Sequence, residues 1–519
     1  MSKADQQEIK AKRKRGLLRI AGALAASTAF AVAYTQAPLY TSNQNQYFLH
    51  GLARAGFGFL DSDWLANTAD PTPLFSFLVE WTYRLNQWEG LFYIYYAILM
   101  GIYLFSLIGI TKKIYPEVSE PEVFFTMVTG LILIHSAGIR LVLSRLIGVN
   151  WTYILEDGVA DQRLLGSVFQ PSTFGVLLLF SIFLFLDRRS IWALVSAVGA
   201  ATFHPTYLLS AGLLILTFMY LIFREKRGIR EPVLIGFLAL LLVLPILLYV
   251  YLNFGNISPE ITASARQILV EFRIPHHAQI SWWFDATAVI KLLLIILALF
   301  LVKKTGLFWI ILVPFSLALA LTAIQIFINS SALAILFPWR VSTWLVPLSA
   351  AILLGRIVIQ MVYFLKREGV KKFSGLYVAN IIIITLAVSA GIVRTYLEFS
   401  RQANSPEQEL FAWVSETKSA ANRYLVPIKM QDFRLVAGVP IFVDFKSIPY
   451  QDTDVLEWHR RIRLADRFYD DHDCALLLEF AWQEGISHFI SPEGDFQVAC
   501  PETTQVYQDA QYSIFSLSP

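Results

Sequence analysis

The stretch PVLIGFLALLLVLPILLYVYL, residues 232–252, contains no charged side chain. As a helix it is long enough to cross the roughly 30 Å hydrocarbon core of a bilayer. The stretch GLFWIILVPFSLALALTAIQIFI, residues 306–328, has the same character. The composition agrees, because 56% of the 519 residues are hydrophobic and only 16% are charged, whereas a soluble protein carries about 25% charged residues. We therefore predict an all-α polytopic membrane domain.

Eleven apolar segments have the character of membrane spans. They lie at about residues 16–36, 90–111, 123–140, 172–187, 190–203, 206–223, 232–252, 285–302, 306–328, 341–363 and 374–393. The first segment is longer than the apolar core of a signal peptide, so we interpret it as a retained span. The predicted membrane domain is therefore residues 16–393, preceded by a basic segment, residues 1–15.

Basic residues mark every second end of these segments. After the N-terminal segment they are Lys112 and Lys113, Arg188 and Arg189, REKRGIR at 224–230, Lys303 and Lys304, and KREGVKK at 366–372. Lys and Arg are enriched in cytoplasmic loops, so the pattern predicts a cytoplasmic N-terminus. An odd number of spans then places the C-terminus outside. The predicted outer loops are residues 37–89, 141–171, 253–284 and 329–340.

The composition becomes polar after Arg394, and residues 394–519 are long enough for a small domain. We predict an extracytoplasmic α/β domain, with Ser405 as the N-cap of its first helix. Its predicted helices are residues 405–418 and 453–469, and its predicted strands are residues 424–428, 440–445 and 512–517. Both cysteines, Cys474 and Cys500, lie here. A disulfide fits an exported domain, and a buried free thiol is the alternative.

Ionisable side chains are costly in or near hydrocarbon, so their clustering on one side of the predicted membrane domain is informative. The candidate site residues are Asp61, Asp63 and Trp64 in the first outer loop, Arg140, Asp157, Asp161 and Gln162 around the second, His204 at an outer turn, His276 and His277 in the third, Lys291 just inside a span, and Arg340 at the outer end of another. Cations and imidazoles suit a phosphate group, and a carboxylate suits removal of a proton from a hydroxyl. The set predicts a cleft for a sugar carried on a lipid phosphate.

Each candidate also has a structural explanation. Asp61 and Asp63 have the chemistry of helix caps, and His204 precedes a proline in what reads as a turn. The other candidates are accounted for as solvated loop residues (His276 and His277), as an interfacial anchor (Arg340) and as a snorkelling side chain (Lys291). The sequence leaves both interpretations open for every one of them.

The arrangement resembles the GT-C superfamily of polytopic membrane glycosyltransferases, whose members carry an acidic motif just after the first span. LDSDW at 60–64 occupies that position here. The likeness is greatest to an uncharacterised bacterial branch, through DGVADQ at 157–162, HP at 204–205, RIPHH at 273–277 and WR at 339–340. In the tail it extends to FRLVAGVPIFVDFKSIPY at 433–450 and EWHRR at 457–461.

The resemblance implies a multi-pass protein of the bacterial plasma (inner) membrane that transfers a sugar from a polyprenyl phosphate to an acceptor on the outer face. Asp61 or Asp63 would be the catalytic base or would hold a divalent cation. Arg340, His276, His277, Lys291 and Arg140 would hold the lipid phosphate, with His204, Asp157, Asp161, Gln162 and Trp64 around the substrate. The acidic loop lacks the paired acids of the best-known members, and LEDG at 155–158 is the candidate for their second acidic motif.

Two other functions remain open. A transporter or flippase for a lipid-linked saccharide would explain an anion-binding outer cleft, although the chain has no internal repeat of the kind common in transporters. A non-catalytic scaffold would use the outer domain as a ligand module. The chain has no CxxC or HExxH metal motif, and we expect a membrane lipid, and no nucleic acid, among its partners.

Overall fold

The computed structural model describes residues 3–226, 228–255, 257–368, 374–492, 500 and 502–517, and most of these are helical. The helices before the polar tail are α1 (Lys3–Tyr34), α2 (Gln44–Tyr47), α3 (Leu49–Arg54), α4 (Pro73–Asn86), α5 (Gly90–Ile114), α6 (Pro121–Ile134), α7 (Ala137–Leu146), α8 (Val176–Leu186), α9 (Ser190–Phe203), α10 (Leu208–Lys226), α11 (Arg230–Phe254), α12 (Pro259–Gln267), α13 (Pro275–Ala278), α14 (Ile280–Trp283), α15 (Ala286–Val302), α16 (Leu307–Ile328), α17 (Ser331–Ile335), α18 (Ser342–Arg367) and α19 (Ser374–Ala403). A π-helical turn, Ile268–Arg273, follows α12.

Several of these helices could span a membrane. Among the described residues, seven are long and apolar enough, and the pair α6 and α7, bent by 54°, makes an eighth if it forms one span. Three shorter apolar helices are Pro171–Leu186, Ser190–Phe203 and Ala286–Val302. Each of the eleven predicted segments coincides with one of these helices or with the bent pair. The number that cross a membrane, and their direction, stay predictions.

The polar tail folds as a small domain. Its elements are α20 (Gln408–Thr417), β1 (Tyr424–Leu425), α21 (Phe433–Ala437), α22 (Asp452–Asp471), α23 (Cys474–Glu484), β2 (His488–Pro492), β3 (Thr503–Gln508) and β4 (Tyr512–Leu517). The sheet has the order β1-β2-β4-β3, with β1 and β2 parallel and the other pairs antiparallel. Trp458 and Phe468 of α22 are buried in the core beside it. The described residues thus contain a small C-terminal sheet packed with helices.

The details of this domain differ from the predictions at three points. The helix α19 runs to Ala403, so the predicted boundary at 394 lies inside it, and no proline or glycine interrupts it there. The N-cap of α20 is Glu407, not Ser405. The predicted strand at 440–445 contributes only a single bridge, between Ile441 and Tyr424, because this segment turns to meet the helical domain.

A disulfide joins Cys474, at the start of α23, to Cys500, with their Cα atoms 5.6 Å apart. It closes a loop of 26 residues. Replacing both cysteines by serine is expected to lower the free energy of unfolding of this domain by about 2–4 kcal/mol, because the unfolded chain regains the freedom of that loop. Thermal unfolding of the double variant beside the wild type, each with and without reductant, measures it. If reductant lowers the unfolding midpoint of both proteins equally, the disulfide is not the source of the stability difference.

The first loop after α1 is held to the helical domain by aromatic packing. The ring of Phe48 lies 4.9 Å from Phe92 of α5, and that of Phe75 lies 5.2 Å from Phe169. Phe48, Phe75 and Phe92 are all fully buried. The loop that follows α1 is therefore a packed part of the structure, and it forms a platform for the C-terminal domain.

The C-terminal domain contacts this platform at a close backbone crossing. The amide of Phe59 donates a hydrogen bond to the carbonyl of Gly438 over 3.0 Å, and a Cβ atom on Gly58 would overlap that same carbonyl. We call the end of the helical domain that carries this contact the tail side. The opposite end carries the basic loops, where Lys113 pairs with Asp187 over 2.6 Å.

Gly58 and Gly56 offer a matched test of this crossing. Both have positive φ, +56° and +78°, but a side chain on Gly56 would meet no atom within 4 Å. We expect Gly56→Ala to cost about 1–2 kcal/mol of stability through backbone strain alone. Gly58→Ala should cost a further 1–3 kcal/mol or so, because the added methyl group must displace the C-terminal domain. Thermal unfolding of the two variants measures the difference, and equal losses would show that the crossing is not tight.

Candidate functional site

A polar cavity of about 270 Å³ opens on the tail side. Its walls come from the loop between α7 and α8, from α13 and α14, and from the first turns of α15. The charged and aromatic side chains among its lining residues are Tyr153, Asp157, Asp161, Arg163, His276, Trp282, Trp283, Asp285 and Lys291. Four of the predicted site residues, Asp157, Asp161, His276 and Lys291, thus meet at one cavity.

The loop that carries Asp157 is fixed against α18. The amide of Val159 donates to Ser342 Oγ over 2.7 Å, and a side chain on Gly158 would overlap that same hydroxyl. The Nζ atom of Lys291, buried in α15, donates to the carbonyl of Gly158 over 2.9 Å. These contacts hold the carboxyl of Asp157 and the ammonium of Lys291 on neighbouring walls of the cavity.

Asp157 is the buried acid of the cavity. Its side chain is only 5% exposed, and its Oδ2 atom lies 2.9 Å from Nε of Arg163. Burial raises the pKa of this carboxyl to about 7, although the charges of Arg163 and Lys291 oppose the shift. A carboxyl with this pKa is half ionised near neutral pH, which suits a group that accepts and returns a proton.

The guanidinium of Arg163 is held by an aromatic ring. Tyr153 lies between two arginines, with the Cζ atom of Arg163 at 4.7 Å from its ring centre and that of Arg140 at 5.2 Å. Arg140 faces away from the cavity, because it pairs with Glu156 over 3.5 Å and donates to the carbonyl of Tyr34. Arg140 therefore supports the cavity wall and does not line the cavity.

A second group of predicted residues lies behind the cavity. Nη1 of Arg340 donates to Oε1 of Gln162 over 2.6 Å, and its Cζ atom lies 4.8 Å from the ring centre of Tyr207. The ring of His204 is 5.5 Å from that of Tyr207. The Nδ1 atom of His204 and the Nε atom of Arg340 are buried without a hydrogen-bond partner in the structure. Both residues therefore keep polar atoms available to a ligand or a water molecule.

His276 and His277 connect the two groups, with their ring centres 4.1 Å apart. Nδ1 of His277 donates to the carbonyl of Ala160 over 2.8 Å. Burial lowers the pKa of His277 to about 3 and also lowers that of His276. Both imidazoles are therefore neutral at pH 7. The single N–H of His277 is already donated to Ala160, so of the two only His276 has an N–H to offer an anion.

The C-terminal domain contacts Arg273, next to the histidine pair, and the sequence analysis missed this contact. Arg273 donates from Nη2 to the backbone carbonyl of Lys446 over 2.7 Å, and its Cζ atom lies 5.3 Å from the ring centre of Phe445. Within the described part of the chain, no carboxylate lies within ion-pair distance of Arg273, Arg340 or Lys446. Nothing in the sequence indicated this contact, because FKSIPY, residues 445–450, is distant along the chain from the loops that it contacts.

The residues predicted as catalytic lie elsewhere. Asp61 is exposed, and Asp63 is fully buried between the first loop and the C-terminal domain. The carboxylate of Asp63 accepts from the amides of Leu65 over 2.9 Å and Ile441 over 3.0 Å, and it pairs with Arg434 at 3.0 Å. In the structure Asp63 therefore joins the first loop to the C-terminal domain. Its catalytic role stays a prediction, and the function proposed below does not depend on it.

Trp64 also contacts the C-terminal domain, where the Cζ atom of Arg461 lies 4.5 Å from its ring centre. It does not line the cavity. Among the described residues, no cluster of three or more His, Cys, Asp or Glu side chains is placed to hold a metal ion. The divalent cation that the resemblance implies at Asp61 and Asp63 therefore has no such cluster around it in the described structure.

Fold and site together define a mostly helical protein whose apolar helices are compatible with insertion into a membrane. Residues 405–465 match a protein family described as a domain of unknown function, DUF6798. The matched segment includes Arg434, Lys446 and Arg461, through which the C-terminal domain meets the helical domain. No curated protein matches the chain. The function is therefore argued from the site.

Proposed function

We propose that the protein is a membrane glycosyltransferase of the GT-C kind, which moves a sugar from a polyprenyl phosphate to an acceptor hydroxyl in the tail-side cavity. In this proposal all eleven apolar segments cross a bacterial plasma membrane, the N-terminus is cytoplasmic, and the C-terminal domain lies outside. The supporting observation is the single cavity that combines a buried acid, Asp157, with the cations Arg163 and Lys291.

Each wall of the cavity has a part in this proposal. Asp157, with its pKa near 7, takes the proton from the acceptor hydroxyl as that oxygen attacks the sugar. Lys291 and Arg163 stabilise the negative charge that develops on the departing lipid phosphate. Trp282 and Trp283 provide flat surfaces for the sugar ring. The volume, about 270 Å³, is just below the range of roughly 300–1,000 Å³ that is usual for ligand pockets, so it suits one sugar unit.

Lipid mass spectrometry on the purified full-length protein tests this proposal. The samples are wild type, Asp157→Asn, Lys291→Met and, as a control, Glu416→Gln, an exposed carboxylate on α20. We expect Asp157→Asn to accumulate a glycosylated polyprenyl phosphate, because binding persists without the base. Lys291→Met should lose the lipid, and the control should match the wild type.

Two outcomes would count against a transferase. If Asp157→Asn and wild type carry the same amount of loaded lipid, the cavity binds without chemistry and a transporter or flippase becomes the better explanation. If none of the four samples carries such a lipid, the cavity does not recognise one, and a non-catalytic scaffold is favoured.

A further inference from the structure

A long apolar groove lies on a different face of the helical domain from the candidate site. It has a volume of about 1350 Å³ and is walled by α1, α5, α8 and α19. Along α1 its lining residues extend from Ile20 to Val32, which corresponds to about 18 Å of helix at 1.5 Å per residue, and Gln36 lines it beyond the end of the helix. It shares no lining residue with the candidate cavity. A groove of this length and character is suited to hydrocarbon chains.

A second cavity, of about 400 Å³, continues the groove on the tail side. The two adjoin where the chain leaves α1 and along α19: Gln36 and Phe399 line the groove, and Ala37 and Gln402 line the cavity. The Nε2 atom of Gln402 donates to the carbonyl of Leu39 over 3.3 Å, which ties the ends of the two walls together. The apolar groove thus leads into the polar cavity, in the same order as the acyl chains of a lipid lead to its headgroup.

The cavity offers charges of both signs. It is lined by Arg401 and Lys429 and by three carboxylates, Glu398, Glu407 and Asp432. Glu398 is already paired with arginines, including Arg401 at 3.5 Å. Glu407 accepts from the hydroxyl of Tyr512 over 3.2 Å, and Asp432 accepts from the side-chain Nδ2 of Asn45. Within the described residues, neither of these two acids has a cationic partner at ion-pair distance, and Lys429 has no anionic one.

We propose that groove and cavity together bind a phospholipid of the tail-side leaflet whose headgroup carries a primary amine. The phosphate lies beside Lys429 and Arg401, and the ammonium group lies between Glu407 and Asp432. The acyl chains occupy the groove between α1 and α5. A polyprenyl phosphate fits this cavity poorly, because it has no cation for the two acids and would bring a further negative charge to them.

Thermal unfolding of the full-length protein, stripped of lipid in a neutral detergent, tests this proposal. The probes are phosphatidylethanolamine, phosphatidylcholine and phosphatidylglycerol with identical acyl chains. We expect phosphatidylethanolamine to raise the midpoint by at least about 3 °C. The other two lipids should give less than half that rise, because the headgroup of phosphatidylcholine lacks N–H donors and that of phosphatidylglycerol lacks a cation.

Three variants and two matched controls test the headgroup site and the groove separately. Glu407→Gln and Lys429→Ala should remove the preference for phosphatidylethanolamine, while Glu416→Gln should keep it. Ala97→Trp fills the groove and should remove the response to all three lipids, whereas Leu240→Trp, on the exposed surface of α11 outside the groove, should not. Equal responses of the wild type to the three lipids, or a full response of Ala97→Trp, would overturn the proposal. Asp157→Asn should respond as wild type does, so this result is independent of the candidate site.

Discussion

Asp157→Asn is expected to lower the rate of sugar transfer by about 10²–10⁴-fold, the usual contribution of a positioned general base. The amide has nearly the same shape as the carboxyl but cannot accept the proton. It leaves Arg163 and Lys291 in place around the cavity, so binding of the donor should persist. The rate is measured by following the loss of the loaded lipid after an acceptor is added, with Glu416→Gln as the control.

The pH dependence provides an independent readout of the same group. Burial raises the pKa of Asp157 to about 7, and in the proposed reaction the ionised form is the base. The wild-type rate should therefore rise about tenfold per pH unit below pH 7 and level off above it. The residual rate of Asp157→Asn should lack this step. A wild-type rate that is flat between pH 5 and pH 8, or a variant that keeps the same step, would contradict the assignment.

Arg434→Ala is expected to lower the free energy of unfolding by about 3–5 kcal/mol, the usual cost of removing one partner from a buried ion pair. Nε of Arg434 lies 3.0 Å from Asp63, and its Nη1 lies 3.0 Å from Asp444. All three side chains are at most 3% exposed. Without the guanidinium, two carboxylates remain buried between the first loop and the C-terminal domain. Thermal unfolding and limited proteolysis of the full-length protein measure the loss.

The cost should depend on pH in a defined direction. Burial raises the pKa of Asp444, and the charge of Arg434 opposes that shift. Without Arg434 the pKa rises further, so the folded variant holds protons that the unfolded chain releases above about pH 4. The stability of Arg434→Ala relative to wild type should therefore fall as the pH rises from 5 to 8.

Two further variants make the test specific. Arg467→Ala removes a pair with Asp471 in which both side chains are 60% exposed, so we expect a change within about 0.5 kcal/mol. Arg434→Lys keeps the charge, but an ammonium group cannot bridge both carboxylates as the planar guanidinium does. It should therefore fall between alanine and wild type. Equal melting points for Arg434→Ala and Arg467→Ala would show that the buried network does not hold the domains together.

The sequence was informative wherever the relevant interactions are local. Apolar runs predicted each of the helices that could span a membrane, because a segment in hydrocarbon must satisfy its own backbone hydrogen bonds and does so as a helix. The strand predicted at 512–517 is β4. The strands predicted at 424–428 and 440–445 were overestimated. β1 pairs with β2, which lies more than 60 residues further along the chain, and Ile441 makes only a single bridge, to Tyr424.

The candidate site was only partly predictable. Asp157, Asp161, His276 and Lys291 were singled out by charge on one predicted side of the membrane, and they share a cavity. Asp63 had the same signal, yet it is paired with Arg434, and its carboxylate bonds to the amide of Ile441, 378 residues away in the sequence. Nothing near Asp63 in the chain distinguishes a carboxylate facing a substrate from one that faces a buried arginine.

The sequence by itself therefore determined the helices, the position of the polar tail and the side on which charged residues gather, since all of these follow from hydropathy and backbone hydrogen bonding over short stretches. Only the tertiary structure decided which charges meet. The Arg434 network and the contact of Arg273 with the backbone of Lys446 both depend on where distant segments pack. The pKa of Asp157 likewise depends on burial that only the folded chain creates, because the energy of a charge is set by the solvent and partners around it.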